Sequence, residues 1–204
     1  MAVIINASTS TGLVQSADTS GIIQFQSNGS TKATLNSSGF SYPGAVLQVV
    51  STTKTDTTSF SSSTTNAFVD ISGMAVTITP TTTTSKMFVM YTACVSQSTS
   101  ATIHIRLLRD STSIGQGDVS GNRFGDSLIW RVNANQYNFD IAPLSSSFLD
   151  TTRPASTSAI TYKLQATLGS SYSGTFYLNR SWDDSNHEYS GRTASTITVM
   201  EIAV

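Results

Sequence analysis

Hydroxylated side chains dominate this sequence and point to a fold built from strands and turns. Serine and threonine together supply 66 of the 204 residues, whereas glutamate occurs twice and lysine four times. Threonine and the other β-branched residues favour strands, serine favours turns, and the strong helix formers are scarce. No segment shows apolar residues recurring at three- and four-residue spacing. The sequence therefore predicts an all-β protein with few helices.

The charge balance excludes several classes of partner. Charged residues form 11% of the chain and the formal net charge is -1, so the sequence offers no electrostatic excess for phosphate backbones. We therefore expect no nucleic-acid partner. There is no run of about 18 apolar residues and no basic, then apolar, leader at the start. We expect neither membrane insertion nor a signal peptide.

Residues 1–44 differ in character from the rest of the chain. Only Asp18 and Lys32 are charged there, and the apolar runs are three to five residues long, each followed by a polar turn. Such short runs from one chain bury too little area to offset the entropy of ordering the segment. We therefore expect a short β-stalk, trimeric or otherwise interwoven, that needs other copies of the chain and is ended by Pro43 and Gly44.

Residues 45–204 carry longer apolar runs, whose number and spacing predict an antiparallel, jelly-roll-like β-sandwich. In the run from Met87 to Val95 both alternation sets are apolar, so we expect both faces to be covered, one of them by another subunit. The predicted strands are 46–50, 68–71, 74–79, 86–95, 102–108, 127–132, 138–141, 147–149, 160–168, 174–179 and 196–203.

Several of these segments together resemble a module of tailed-bacteriophage structural proteins, especially the fibre proteins of marine phages. Residues 21–29 also look like the short repeats that precede fibre tips, and the order of the later runs is similar to the trimeric jelly roll of complement and tumour-necrosis-factor proteins. The resemblance implies a homotrimeric virion component with a shaft-like N-terminus and a globular β-tip. The segments that carry it are 45–50, 68–80, 85–89 and 106–110.

The resemblance implies a tail-fibre-like protein that mediates attachment to the host surface. Residues 1–44 would bind other virion proteins, and residues 45–204 would face a host glycan or protein. The chain would be made in the host cytoplasm and lie on the tail or capsid. Because only 44 residues precede the tip, a head fibre or capsid decoration that stabilises the shell is an equal fit to that length. A glycan-degrading tail spike ranks third, because such enzymes are usually far longer.

A loop before the final strand holds the densest group of versatile side chains. Three interpretations stay open: a solvated loop, a receptor contact in which rings stack on sugars and charged groups bond hydroxyls, and a metal site. We expect a solvated loop as the commoner outcome, and we prefer receptor contact to metal because the spacing matches no established calcium or zinc pattern. The residues are Trp182, Asp183, Asp184, His187, Glu188, Tyr189 and Arg192.

The remaining candidates give no indication of catalysis. His104 and Arg106 share the face opposite Ile103 and its neighbours, and His104 is expected to be a hydrogen-bonded structural residue. In a trimer this face would approach a neighbouring copy, where Arg106 would need a carboxylate, such as Asp140 or Asp150. Gly-rich residues 115–121 lack the spacing of a phosphate loop and are expected to form a turn. We therefore expect no enzyme, no cofactor and no metal.

Overall fold

A computed structural model describes residues 20–37, 39–62, 67–131, 139–169 and 173–204. These residues form strands joined by turns and irregular segments, and they include no helix, hence none that could cross a bilayer. This agrees with the prediction of an all-β chain. The chain divides into two compact units, Met1–Ala45 and Val46–Val204.

The first unit contains a three-stranded antiparallel sheet. Its strands are β1 (Ile23–Ser27), β2 (Ser30–Asn36) and β3 (Gly39–Ser41), with β2 in the centre. The β1–β2 turn holds Asn28 at φ 50° and Gly29 at φ 73°, the left-handed pair typical of tight hairpins. The prediction of a stalk over residues 1–44 falls partly on residues 1–19, which lie outside the described residues.

The second unit is a sandwich of two antiparallel sheets. Its strands are β4 (Val46–Lys54), β5 (Thr58–Ser62), β6 (Val69–Ile78), β7 (Lys86–Gln97), β8 (Thr102–Arg109), β9 (Thr112–Ile114), β10 (Leu128–Arg131), β11 (Ala142–Asp150), β12 (Ile160–Leu168), β13 (Gly174–Leu178) and β14 (Ser195–Ile202).

We call the two layers the first sheet and the second sheet. The first sheet has the order β10-β8-β12-β6, with β9 also paired to β8. The second sheet has the order β4-β14-β7-β13-β5, and β11 pairs with β7. Strand β7 is central because β14 and β13 pair with successive parts of it, while β11 runs along residues Met87 to Val95.

The core lies between the two sheets and follows the two-residue alternation of the strands. Ile103, Ile105 and Leu107 of β8 face inward and are fully buried, as the sequence pattern predicts. Ile197 and Val199 of β14 face them from the second sheet and are also fully buried. Burial of such branched side chains contributes about 1.5–3 kcal/mol each, so this interleaving is the main source of stability of the sandwich.

Some strand predictions were wrong, each for a local reason. The two predicted strands at 68–71 and 74–79 form the single strand β6, which passes through Gly73 at φ 82° and shifts register against β12. Of the predicted strand 138–141, residues 139–141 lie outside any strand, and strand β11 begins at Ala142 instead. Strands β5 and β9 were missed because serine and threonine fill most of their positions.

Two carboxylates are fully buried at strand ends of the sandwich, Asp150 on β11 and Glu201 on β14. Asp150 accepts hydrogen bonds from Arg109 and Tyr162, and Glu201 accepts from Gln48, Thr81 and Ser85. A buried charge costs much free energy unless it is paired and hydrogen-bonded. Each acid therefore ties neighbouring strands and turns to one arrangement.

Candidate functional site

The outer face of the second sheet carries an uncharged pattern of aligned side chains. Register places Val49 (β4), Met200 (β14), Phe88 (β7) and Leu149 (β11) directly beside one another across four strands. Val49 and Leu149 are 53% and 43% exposed, while the two between them are half-buried. These four residues are called the apolar row below.

Two further rows run parallel to the apolar row and consist mainly of hydroxyls. The next row is Ser51, Thr198, Met90 and Ser147, and the one beyond it is Thr53, Thr196, Thr92 and Ser145. Adjacent hydroxyls bond one another, with Ser51 Oγ 2.7 Å from Thr198 Oγ1 and Thr92 Oγ1 2.8 Å from Ser145 Oγ. These two rows line much of a shallow groove of about 450 Å³. None of the twelve positions carries a charge.

This face explains the apolar character of both parities in the Met87–Val95 run. Val89 and Tyr91 point into the core, whereas Phe88 and Met90 point outward onto the sheet face. Contiguous exposed apolar patches on soluble proteins mark interaction sites. The three rows, with apolar side chains and paired hydroxyls but no charge, fit a partner of the same character.

The loop from Trp182 to Arg192 connects β13 to β14 and is fixed at its base. Asn179 is buried at φ 63°; its Nδ2 donates to the carbonyls of Lys54 and Asp56, and its Oδ1 accepts from Ser195 Oγ. Arg180 and Arg192 form an isolated antiparallel bridge across the loop. The loop is therefore held by the second sheet.

Two acids of this loop, Asp183 and Asp184, bond groups in the loop or at its base. Asp184 lies 3.1 Å from Arg180 Nη1 and 2.5 Å from Arg192 Nη2. Asp183 Oδ1 accepts from the Ser185 backbone N–H, and this bond lowers the pKa of Asp183 below its ordinary value. Among the described residues, no three or more His, Cys, Asp or Glu side chains are grouped closely enough to hold a metal ion. The two aspartates therefore act as links within the loop.

The rings of this loop are arranged differently from the acids. Tyr189 is 62% exposed, its ring centroid lies 4.7 Å from that of His187, and Phe139 lies 6.1 Å away. Glu188 is exposed, and Trp182 is half-buried. The structure thus gathers His187, Tyr189 and Phe139 into one exposed ring cluster; Phe139 was not among the residues singled out from sequence.

Within the chain, Arg106 has partners other than Asp140 and Asp150, and its expected pairing with a neighbouring copy stays a prediction. Arg106 donates through Nε and Nη2 to Gln165 Oε1, at 2.9 and 2.6 Å, and its guanidinium lies 4.0 Å from the Phe68 ring centroid. Asp150 instead accepts from Arg109, because position 109 lies at the end of β8 where the side chain reaches the core. His104 does make the expected hydrogen bond, and its partner is Asp126.

No protein-family model and no curated protein matches this chain. Similar solved structures include those of the Gx strain of infectious bursal disease virus (15% identity, TM-score 0.39, covering 88% of this chain and 41% of that chain) and of its Gt strain (13%, 0.39, 98% and 47%). The crystal structure of the VP2 subviral particle of the same virus is another (14%, 0.36, 95% and 46%). This chain spans less than half the length of those chains. The fold and the proposals below therefore rest on this chain's own strands and surfaces.

Proposed function

We propose that this chain is a virion structural protein that assembles as a homotrimer and attaches a phage particle to its host. Residues 1–44 join it to other virion proteins, and the sandwich faces outward. The observation that carries the proposal is the pair of uncovered apolar sheet faces, one in each unit. The virion assignment itself is supported by the phage-fibre resemblance of segments 45–50, 68–80, 85–89 and 106–110.

The sheet of the first unit supports self-association. Its pairing puts Phe25, Leu35 and Phe40 on one face, and Phe25 and Phe40 contact edge to face with ring centroids 5.7 Å apart. They are 44%, 39% and 54% exposed, and Tyr42 beside them is 52% exposed. A three-stranded sheet needs a packed face for stability. Equivalent faces of other copies supply that packing with no charge to match.

The apolar row of the second sheet supports the same conclusion independently. Three equivalent faces that converge on a three-fold axis bury Val49, Phe88, Leu149 and Met200 and bring their hydroxyl rows together. Each hydroxyl both donates and accepts, so its hydrogen bonds can be satisfied in either direction across an interface. In a closed cyclic assembly every copy uses the same surfaces, which an uncharged face tolerates well.

Attachment by such an assembly gains strength from valency. Three sandwich units on one fibre, and several fibres on one particle, convert weak single contacts into firm adhesion through effective concentration. The exposed rings of His187 and Tyr189, with Arg192 and Glu188 nearby in sequence, are suited to a receptor surface, because aromatic rings combine contact area with polar edges.

The virion role is tested by locating the protein on purified particles with a gold-labelled antibody. The proposal expects label at the tail tip, and purified protein should compete with particles for host cells. Label on the shell, without competition, would replace attachment by a capsid-decoration role. The absence of the protein from particles would contradict both.

A further inference from the structure

A second surface feature, separate from both apolar faces, is a cavity on the outer side of the first sheet. It has a volume of about 490 Å³ and lies between β8, β10 and the irregular segment 115–127. Ligand sites are typically clefts of about 300–1,000 Å³ lined by apolar side chains with a few placed polar groups. The cavity is large enough for one small ring.

The floor of the cavity holds a nearly buried histidine and aspartate. His104 Nδ1 lies 2.6 Å from Asp126 Oδ2, and the two side chains are 9% and 10% exposed. Asp126 Oδ1 is also buried, and it has no hydrogen-bonding partner within the described ranges. An unpaired buried acceptor is costly and marks a place where a further donor would be stabilising.

The second ring nitrogen of His104, Nε2, is the ligand-facing atom of this pair. In the described part of the chain, Nε2 makes no hydrogen bond. A Cβ added at Gly169 would lie 3.5 Å from this nitrogen, which is nearer than any other atom outside Gly169 and its chain neighbours. The missing side chain of Gly169 therefore leaves open the space beside Nε2.

An aromatic wall stands next to this polar floor. The ring of Phe124 packs against His104 with centroids 4.6 Å apart and against Phe68 with centroids 6.0 Å apart. Ile129 of β10, which is 61% exposed, lines the cavity from another side. Phe124 is thus held in place on two sides while it faces the cavity.

The rim carries charges of both signs. Arg123 and Arg131 supply guanidinium donors, while Asp118 supplies a carboxylate. The charges on the rim have opposite signs, and the aspartate on the floor is already paired to His104. The cavity therefore has no excess of positive charge that would favour a phosphate or another strongly anionic group. A ligand with many hydroxyls suits this lining, because each hydroxyl can donate to an aspartate and accept from an arginine.

We propose that this cavity binds a single neutral sugar residue, with the apolar face of its ring against Phe124 and a hydroxyl bonded to His104 Nε2. The assignment of that sugar to a host-surface glycan rests on the proposed attachment function. The binding itself does not, because it follows from the cavity of one chain. The site is distinct from the Trp182–Arg192 loop, which belongs to the second sheet.

The test uses the full chain with methyl glycosides of glucose, galactose and N-acetylglucosamine, observed by saturation-transfer NMR and titration. We expect binding of at least one glycoside with a dissociation constant on the order of 1 mM, since a single ring makes few contacts. Gly169→Ala should weaken that binding at least about tenfold, because its methyl group enters the space beside Nε2. Phe124→Ala should weaken it similarly by removing the wall.

The matched control is Lys163→Ala, which changes the outer side of the same sheet away from the cavity and should bind as the parent does. Absence of binding to all three glycosides, or undiminished binding by Gly169→Ala, would overturn the proposal. The outcome is separable from that of the attachment proposal. If the protein is a trimer on particles but binds no glycoside, only the sugar-site proposal fails. If it is a monomer that binds glycoside, only the proposal of fibre-type assembly fails.

Discussion

Arg109 Nη1 donates to both carboxylate oxygens of Asp150, at 2.8 Å each, although Asp150 is fully buried and lies 41 residues away in sequence. The Tyr162 hydroxyl donates to the same carboxylate at 2.8 Å, and burial together with the charge of Asp150 raises the pKa of Tyr162 far above its ordinary value. This cluster joins β8 and β12 of the first sheet to β11 of the second sheet. It is a polar bridge between the two layers.

The bridge predicts a graded loss of stability on mutation. Arg109→Ala should lower the free energy of unfolding by about 3–5 kcal/mol, because it leaves a buried carboxylate without its cation. Tyr162→Phe should cost about 1 kcal/mol, because Asp150 keeps its other donors. Urea unfolding measures both.

The control for the bridge is Lys163→Ala, which removes the exposed ion pair with Asp70 and should change stability by about 1 kcal/mol or less. A loss for Arg109→Ala no larger than that of this control would show that the bridge is unimportant.

The hydrogen bonds of Glu201 make the stability of the folded chain sensitive to acid. Its burial would raise its pKa, but hydrogen bonds from Gln48, Ser85 and Thr81 outweigh burial and leave the pKa below its ordinary value. The unfolded chain therefore takes up this proton first as pH falls. The stabilisation is complete above about pH 4.3 and is lost as the pH drops through the lower folded-state pKa.

Glu201→Gln should reduce stability near pH 7 by about 1–3 kcal/mol, since an amide NH₂ would then face donors. The variant should also lose less stability than the parent between pH 7 and pH 3. Thermal unfolding of both proteins at a series of pH values measures this difference. The effects of the other carboxylates are the same in both proteins and cancel in the comparison. Parallel profiles for the two proteins would refute this role of Glu201.

Gly115 and Gly121 offer a matched test of local packing. Both have φ near +60°, at 59° and 60°, so alanine at either position meets the same backbone penalty of about 1 kcal/mol. A Cβ at Gly115 would lie 2.9 Å from the Phe148 ring, whereas one at Gly121 would have no heavy atom within 4 Å. Gly115→Ala should therefore be less stable than Gly121→Ala by about 1–3 kcal/mol. Equal losses would mean that Phe148 moves aside freely.

The apolar row predicts the effect of a single charge on assembly. Val49→Asp places a carboxylate on the outward face of β4, where an interface would bury it unpaired, so assembly should weaken while the monomer fold remains intact. Val119→Asp is the matched control, because Val119 is 63% exposed in the segment 115–127. Sedimentation of both variants distinguishes them. Equal masses would mean that this face of the second sheet is not an interface.

The sequence predicts the fold better than it predicts the site, for identifiable reasons. Alternation predicts β12 at residues 160–168, because buried apolar residues alternate there with half-buried polar ones as far as Ala166. The same rule puts Glu201 on the buried side of β14 with Ile197 and Val199, but it cannot reveal what satisfies the charge, since donors lie in a turn more than 100 residues away. Strand β5 was missed because its residues Thr58–Ser62 match a polar linker in composition.

The cavity beside His104 is a second feature that the sequence predicts only in part. Parity places His104 on the outer side of β8, and it is there, but its burial depends on segment 115–127, which the sequence shows only as a glycine-rich turn. The partner Asp126 lies 22 residues away and in no motif. The neighbouring Phe124 does indicate in the sequence that this segment packs on another surface, since an aromatic ring in a polar turn is stabilised by packing against other residues.

The central claim is that this chain associates with copies of itself through its uncovered sheet faces. The most direct measurement is the mass of the full chain by light scattering, at roughly 0.05 M and 1 M salt. The account predicts three times the chain mass of 21.6 kDa at both concentrations, because uncharged interfaces are little affected by screening. A stable monomer would contradict the account, and a trimer that dissociates in molar salt would contradict the uncharged nature of its interfaces.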